Sequence, residues 1–235
     1  SKKIYKITCP TNDTYKDMIK YDFLSNKLMV LNDPIINIRN IKTTKKLSLN
    51  LDDKILDIVN NKNFFLSIGR FTKQKNFLFY LECIPEILKL NKDLFFLFIG
   101  YGEDKNSFLK LAQKLNILDR ILLIDYTSNV HFFMDKSKAF VLTSLWEDPG
   151  FVLVESGFNN CQVISSNCPN GPLEIIGNDG GYLFKSNSKT SFINIIKEFL
   201  NDTDENRFLK KVVLKKRVKN FTSFQHFLKI KKILI

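Results

Sequence analysis

Glycine is scarce in this chain, nine in 235 residues; there are only two histidines and a single tryptophan. There is no full GxGxxG and no adequate glycine-built phosphate nest. His131 and His226 have no partnered Ser or Cys, so a His-activated nucleophile is set aside and a surface role is expected for each. The four cysteines (Cys9, Cys83, Cys161, Cys168) form no CxxC pair, and no histidine lies near Cys161 and Cys168 to complete a zinc set. Buried free thiols in a reducing compartment are expected instead. No apolar run approaches the ~20 residues of a membrane span, and no signal peptide opens the sequence. A cytoplasmic protein follows, at most peripheral at the inner face of a membrane. Dense Lys/Arg runs with interleaved aromatics are missing too, which argues against nucleic acid as a partner.

A hydrophobic content of 44% and an aromatic content of 13% are globular values. The length suits one good core and a small appendage, not two full α/β domains. The chain opens on Ser rather than Met and reads as a fragment or a processed chain. A formal charge of +12 calls for an explanation. Lys, Asn, Ile and Phe are used heavily at the expense of Ala, Gly and Arg, as nucleotide composition acting across a coding region would produce. The alternatives are an anionic membrane surface and phosphate ligands.

Residues 1–50 read as an irregular lead-in and interdomain segment. Ile4–Cys9 and Leu28–Leu31 are candidate strands around a short polar helix at Thr14–Lys20, and a basic surface loop is expected at Lys42–Lys46. Residues 51–220 alternate regularly. Short apolar runs at Phe64–Ile68, Leu94–Ile99, Ile121–Ile124, Ala139–Leu142, Gln162–Ser165 and Gly181–Phe184 are separated by helical stretches. Those stretches are Asn76–Leu90 (kinked or split by Pro85), Glu103–Asn116, Ser128–Lys136, Phe151–Phe158, Ser191–Leu200 and Glu205–Lys219. Residues 221–235 predict a last helix. Fully apolar strands alternating with helices predict an α/β fold, a doubly wound parallel sheet.

In such sheets ligands bind beyond the carboxyl ends of the strands, and three segments place special residues there. Gly69 to Asn76 follows the first apolar strand and carries Arg70 and Lys75, two cations able to grip phosphate oxygens. Gly100-Tyr101-Gly102 follows the second; two glycines let backbone approach a flat ligand, and Tyr101 can stack on a base. A plain turn explains that segment nearly as well. The third is Glu147 to Glu155, two glutamates eight residues apart around a Pro-Gly turn. A helix starting at Gly150 and Phe151 would offer N–H groups and its dipole to a diphosphate. The glutamates would repel that diphosphate, so their useful targets are hydroxyls. Glu155 sits among Phe151, Val152, Leu153, Val154 and Phe158, where a carboxylate needs a partner. Paired carboxylates also raise glycoside hydrolysis, but their placement beside a cationic loop fits a nucleotide better. No DxD-like pair follows a strand; Asp52-Asp53 precedes a polar helical stretch.

Ser67-Ile68-Gly69-Arg70 with Lys75-Asn76, Phe98 to Gly102, Ser144 with Glu147 to Glu155, Ser165 to Ile176, and Gly180 to Phe184 stand in the order seen in family 4 (group 1) retaining glycosyltransferases of the GT-B fold. Cys9-Pro10-Thr11 and Leu31 to Pro34 also resemble that family. The resemblance implies the C-terminal, donor-binding, Rossmann-like half of a GT-B enzyme, with residues 221–235 packing toward an N-terminal domain outside this chain. It implies that Arg70, Lys75 and backbone at Gly150, Phe151 and Val152 hold the donor diphosphate. Glu155 and Leu153 would hold ribose, Tyr101 and Gly102 would lie near the base, and Glu147, the catalytic candidate, would face the transferred sugar. The implied donor is a nucleoside diphosphate sugar, with no cofactor and no metal required at the diphosphate. The implied acceptor is a glycan or a lipid-linked saccharide in surface polysaccharide biosynthesis. The competing reading is a non-catalytic basic module docking Lys210, Lys211, Lys215, Lys216, Arg217 and Lys219 on anionic lipid or nucleic acid.

Overall fold

A computed structural model describes residues 4–21, 25–37 and 51–234. The expected basic loop at Lys42–Lys46 lies outside the described residues. The first segment folds as β1 (Ile7–Cys9), α1 (Asn12–Ile19) and β2 (Leu28–Val30). The two strands pair in parallel, Ile7 opposite Leu28. Both are shorter than the apolar runs suggested.

The rest is one alternating unit: α2 (Asp53–Asn61), β3 (Phe64–Ile68), α3 (Phe77–Leu90), β4 (Phe95–Ile99), α4 (Lys105–Lys114), β5 (Ile121–Ile124), α5 (Val130–Lys136) and β6 (Ala139–Leu142). It continues through α6 (Phe151–Phe158), β7 (Val163–Ser166), α7 (Pro172–Ile176), β8 (Tyr182–Phe184), α8 (Lys189–Asn201) and α9 (Asp204–Val218), and ends in α10 (Ser223–Leu234). Strands β3 to β8 form a six-stranded sheet in the order β5-β4-β3-β6-β7-β8, every pairing parallel. The α/β, doubly wound reading is therefore what the chain adopts.

Strand residues alternate between two cores because successive side chains point to opposite faces. Phe64, Leu66, Leu97 and Leu142 join α2, α5, α6, α7 and α9 on one face. Phe65, Phe96, Phe98 and Val141 join α3, α4 and α8 on the other. The second core is largely aromatic. Phe71, Phe77, Phe98 and Phe108 meet edge to face with centroids between 4.8 and 5.3 Å, each such pair adding about 1 kcal/mol beyond burial. Phe71 lies within the Gly69–Asn76 segment and Phe77 directly follows it, so this cluster stiffens the loop that carries its cations.

Pro85 does not split its helix: α3 runs unbroken from Phe77 to Leu90. The lost backbone donor is offset by burial of Leu81, Cys83, Ile84 and Ile87 around it. All four cysteines are buried and free.

Sheet order fixes where a ligand goes. From β3 the chain winds outward through β4 and β5, then crosses back to β6 on the other side. The crevice of a doubly wound sheet opens at that reversal, above the carboxyl ends of β3 and β6. The segments leaving those two strands are the Arg70/Lys75 loop and the Glu147 turn.

Candidate functional site

The loop after β3 is laced to the loop after β4. Gly69 N–H donates to Ile99 C=O (3.0 Å), Phe71 N–H to Tyr101 C=O (2.8 Å) and Asp104 N–H to Phe71 C=O (2.9 Å). The approach leaves no room for side chains: a Cβ on Gly100 would fall 2.0 Å from the Gly69 oxygen, and one on Gly102 would fall 2.4 Å from the Phe71 oxygen. These glycines thus serve loop-to-loop packing, a use that local sequence did not show. Arg70 is exposed at the rim. It lines a cleft of about 260 Å³ with Gly69, Gly100, Tyr101, Tyr126 and Thr127. Tyr126 and Thr127 were missed by the sequence reading. They follow β5 directly, and the strand-end rule would have found them.

Lys75 and Glu147, 72 positions apart in sequence, meet across the crevice with Nζ 2.6 Å from Oε1. Their side chains are 15% and 4% exposed, so both charges are largely out of water. Ser144 Oγ donates to the same carboxylate oxygen at 2.5 Å. The backbone holds the pair in register: Leu145 N–H donates to Gln74 C=O (2.8 Å), and Thr143 Oγ1 to Lys75 C=O (2.9 Å). An ammonium has three donors, and among the described residues Glu147 takes one of them. Lys75 therefore positions Glu147 as well as offering charge, a link the sequence did not reveal.

Past Glu147 the Asp148–Pro149 peptide is cis and Gly150 takes φ 86°, a left-handed conformation that favours glycine. Gly150 thereby turns the chain into α6, whose first-turn N–H groups at Phe151 and Val152 have no acceptor within the helix. The loop after β7 closes the site from the third side. Pro169 C=O accepts from Glu147 N–H at 3.1 Å, and a Cβ on Gly171 would fall 1.9 Å from the Pro149 oxygen.

Leu153 is buried on the inner side of α6. Glu155, two residues on, is half-buried. Burial pushes its carboxyl up to about 7. Among the described residues no side chain or backbone group donates to that carboxylate, so the partner that a sheltered carboxylate calls for is not supplied by them. The structure thus brings Lys75 to Glu147 just ahead of the α6 start, and sets Arg70 with Tyr101 in the cleft between the β3 and β4 loops, Gly102 packing on Phe71. Among the described residues no cluster of three His, Cys, Asp or Glu could hold a metal ion.

His131 departs from the expected surface role, whereas His226 stays partly exposed. His131 is buried, its Nδ1 2.7 Å from Asn159 Nδ2. His226 is half-buried, with Nδ1 at 2.8 Å from Asn32 C=O.

Residues 50–216 match the model of the family described as glycosyl transferases group 1. The chain belongs to that family. It is 32% identical over 174 residues to a Campylobacter jejuni N-acetylgalactosamine-N,N'-diacetylbacillosaminyl-diphospho-undecaprenol 4-alpha-N-acetylgalactosaminyltransferase, covering 73% of this chain and 47% of that protein. It is 31% identical over 189 residues to an Escherichia coli UDP-Gal:alpha-D-GlcNAc-diphosphoundecaprenol alpha-1,3-galactosyltransferase, covering 79% and 48%. The chain spans about half the length of these curated relatives. A Rickettsia africae glycosyltransferase superposes with a TM-score of 0.80 at 19% identity, over 97% of this chain and 63% of its own. Anabaena HepE in complex with UDP and glucose gives 0.78 at 13%, over 98% and 63%. These likenesses show the fold, a Rossmann-like unit of the GT-B type.

Proposed function

We propose that this chain is the donor-binding part of a retaining glycosyltransferase. It takes a sugar from a nucleoside diphosphate sugar and passes it to a glycan or lipid-linked acceptor in surface polysaccharide biosynthesis. The observation that carries the reading is the Lys75–Glu147 pair at the strand-order reversal. It sets a cation and a hydroxyl acceptor side by side at a helix start, the two chemistries a diphosphate sugar joins. The family membership supports it, as do the UDP and UDP-Gal in the names of similar proteins.

In this reading Arg70, the remaining Lys75 donors and the N–H groups at Gly150, Phe151 and Val152 neutralise the diphosphate without a metal. They stabilise the charge that grows there as the sugar departs. Glu147 faces the transferred sugar. Glu155 accepts from the ribose hydroxyls beside Leu153, and Tyr101 and Gly102 lie near the base. The acceptor is bound by the length that relatives possess beyond this match, so the chain alone binds donor and turns over little. A lipid-linked acceptor places the enzyme at an anionic membrane surface on the cytoplasmic side; no helix among the described residues is long and apolar enough to cross a membrane.

Titration calorimetry with UDP tests the reading. Binding at about millimolar affinity or tighter is expected, weakened by Arg70→Ala and by Lys75→Ala. Heat-silent titration of a folded chain with UDP and other nucleoside diphosphates would overturn it. As an account of the whole chain the basic-module reading is weaker, because it leaves the donor crevice unexplained and three of its six cations are engaged within the protein. Lys210 lies 4.7 Å over the Tyr182 ring and Lys215 4.1 Å over Phe158, and Arg217 pairs with Asp179 at 2.5 Å.

A further inference from the structure

A helix on a protein surface normally turns polar residues outward, but α9 does the reverse over part of its length. Its inner side is fastened by buried Leu214 and Val218. On its outer side Phe208, Leu209 and Val212 are 60%, 53% and 49% exposed. Their spacing puts them on one side of the helix, an apolar patch a single turn long. From Arg207 to Arg217 the same helix carries six cations and no acid.

At the edge of that patch lies a hollow of about 430 Å³ lined by Lys138, Arg207, Lys211 and Phe208. Lys138 and Arg207 sit 6.0 and 5.9 Å from the centroid of one ring, Phe199. Asp204 pairs with Arg207 at 2.5 Å. Burial first, and then the charge of Arg207, hold the Lys138 pKa below its ordinary value, so one more anion would be welcome there.

We infer that the outward face of α9 is a docking surface for an anionic lipid bilayer. Phe208, Leu209 and Val212 enter the interfacial layer, while Lys138, Arg207 and Lys211 collect lipid phosphates. The patch needs a partner that offers negative charge and an apolar interior together, and an anionic bilayer offers both. A nucleic acid offers charge but leaves the three apolar side chains wet. The inference deepens the proposed function and rests on its lipid-linked acceptor only for biological purpose; the physical argument stands on α9 alone.

The test is co-sedimentation of the chain with vesicles of phosphatidylcholine and phosphatidylglycerol in equal parts, against phosphatidylcholine alone. Binding is expected only to the anionic vesicles and should weaken as salt is raised. Phe208→Ser with Val212→Ser should cut partitioning about tenfold, as should Lys211→Glu with Lys216→Glu, with UDP affinity and melting temperature unchanged. Indifference of the wild-type chain to anionic vesicles would overturn the inference. So would serine variants that bind vesicles as the wild type does, or a soluble dimer held by this face. UDP binding measured on the same samples separates this failure from failure of the donor site.

Discussion

At the scale of single residues the site turns on two carboxylates in opposite circumstances. Glu147 is sheltered but paired, so removing its cation is costly. Lys75→Ala should lower stability by about 3 kcal/mol by stranding a buried charge, measured by denaturant unfolding. Lys75→Met with Glu147→Gln should recover most of that loss and still fail to bind UDP, which separates the structural from the binding share of Lys75. Glu155 is sheltered without a partner among the described residues, and its carboxyl lies near 7 rather than 4.5. The protonated form is favoured in the folded state, so this group's contribution is most favourable below pH 4.5 and is lost as pH rises toward 7. Glu155→Gln should therefore stabilise the chain at alkaline pH. Ribose hydroxyls donate to the ionised form, so UDP affinity should fall about tenfold between about pH 8 and about pH 6. That loss toward acid should shrink in Glu155→Gln to what the titration of UDP's own terminal phosphate produces, with binding weak throughout. A wild-type affinity flat over that range would refute ribose binding by Glu155. The types of these residues were legible in the sequence, because each follows a strand or opens a helix. The Lys75–Glu147 pair was not: only the sheet order joins positions so far apart, and no local pattern encodes it.

At the scale of elements, strands β3, β5 and β6 and helix α6 begin and end where the apolar runs do, because turn residues bound each of them. Pro85 does not split its helix because tertiary burial outweighs the local rule: α3 packs six side chains into the aromatic core, Cys83 and Ile84 next to the proline. Packing between elements was likewise illegible, and Gly157 shows what it does. In a helix its missing side chain looks like a propensity defect, which alanine would repair by about 1 kcal/mol. In the structure a Cβ there would fall 2.6 Å from Leu214 Cγ of α9, and Leu214 is fully buried. Gly157→Ala should thus destabilise by about 1–2 kcal/mol through overpacking. Leu214→Ala alone should destabilise through a cavity. The double variant should be less damaged than the sum, a coupling readable in a thermal-melt cycle. Strict additivity would mean that α6 and α9 do not bear on each other there, and α9 would then not hold the helix that presents Gly150 and Glu155.

At the scale of the whole molecule, the first segment is bound to the large sheet at two places. Glu174 of α7 accepts from the Asn12 N–H at 2.8 Å and from Asn12 Nδ2 at 2.9 Å, a carboxylate set against the positive end of α1. On the opposite flank the turn before α10 and α10 itself reach back. Ile36 N–H donates to Phe221 C=O at 3.0 Å, and Lys229 Nζ donates to Asn32 Oδ1 at 2.8 Å. A two-stranded sheet has little stability of its own, so β1, α1 and β2 borrow theirs from these attachments and from Ile36, which is buried in the core of the large unit. Removing residues 223–235 should leave the six-stranded sheet and UDP affinity intact, because neither core draws on α10. It should also open the first segment to protease. Limited proteolysis read by mass spectrometry should then show rapid cleavage between residues 4 and 37 in the shortened chain and slow cleavage in the full one. Equal cleavage rates would show that Glu174 and Ile36 suffice as the fastening. Loss of UDP binding would show instead that α10 supports the donor crevice from a distance, by way of Phe221 and the end of α9.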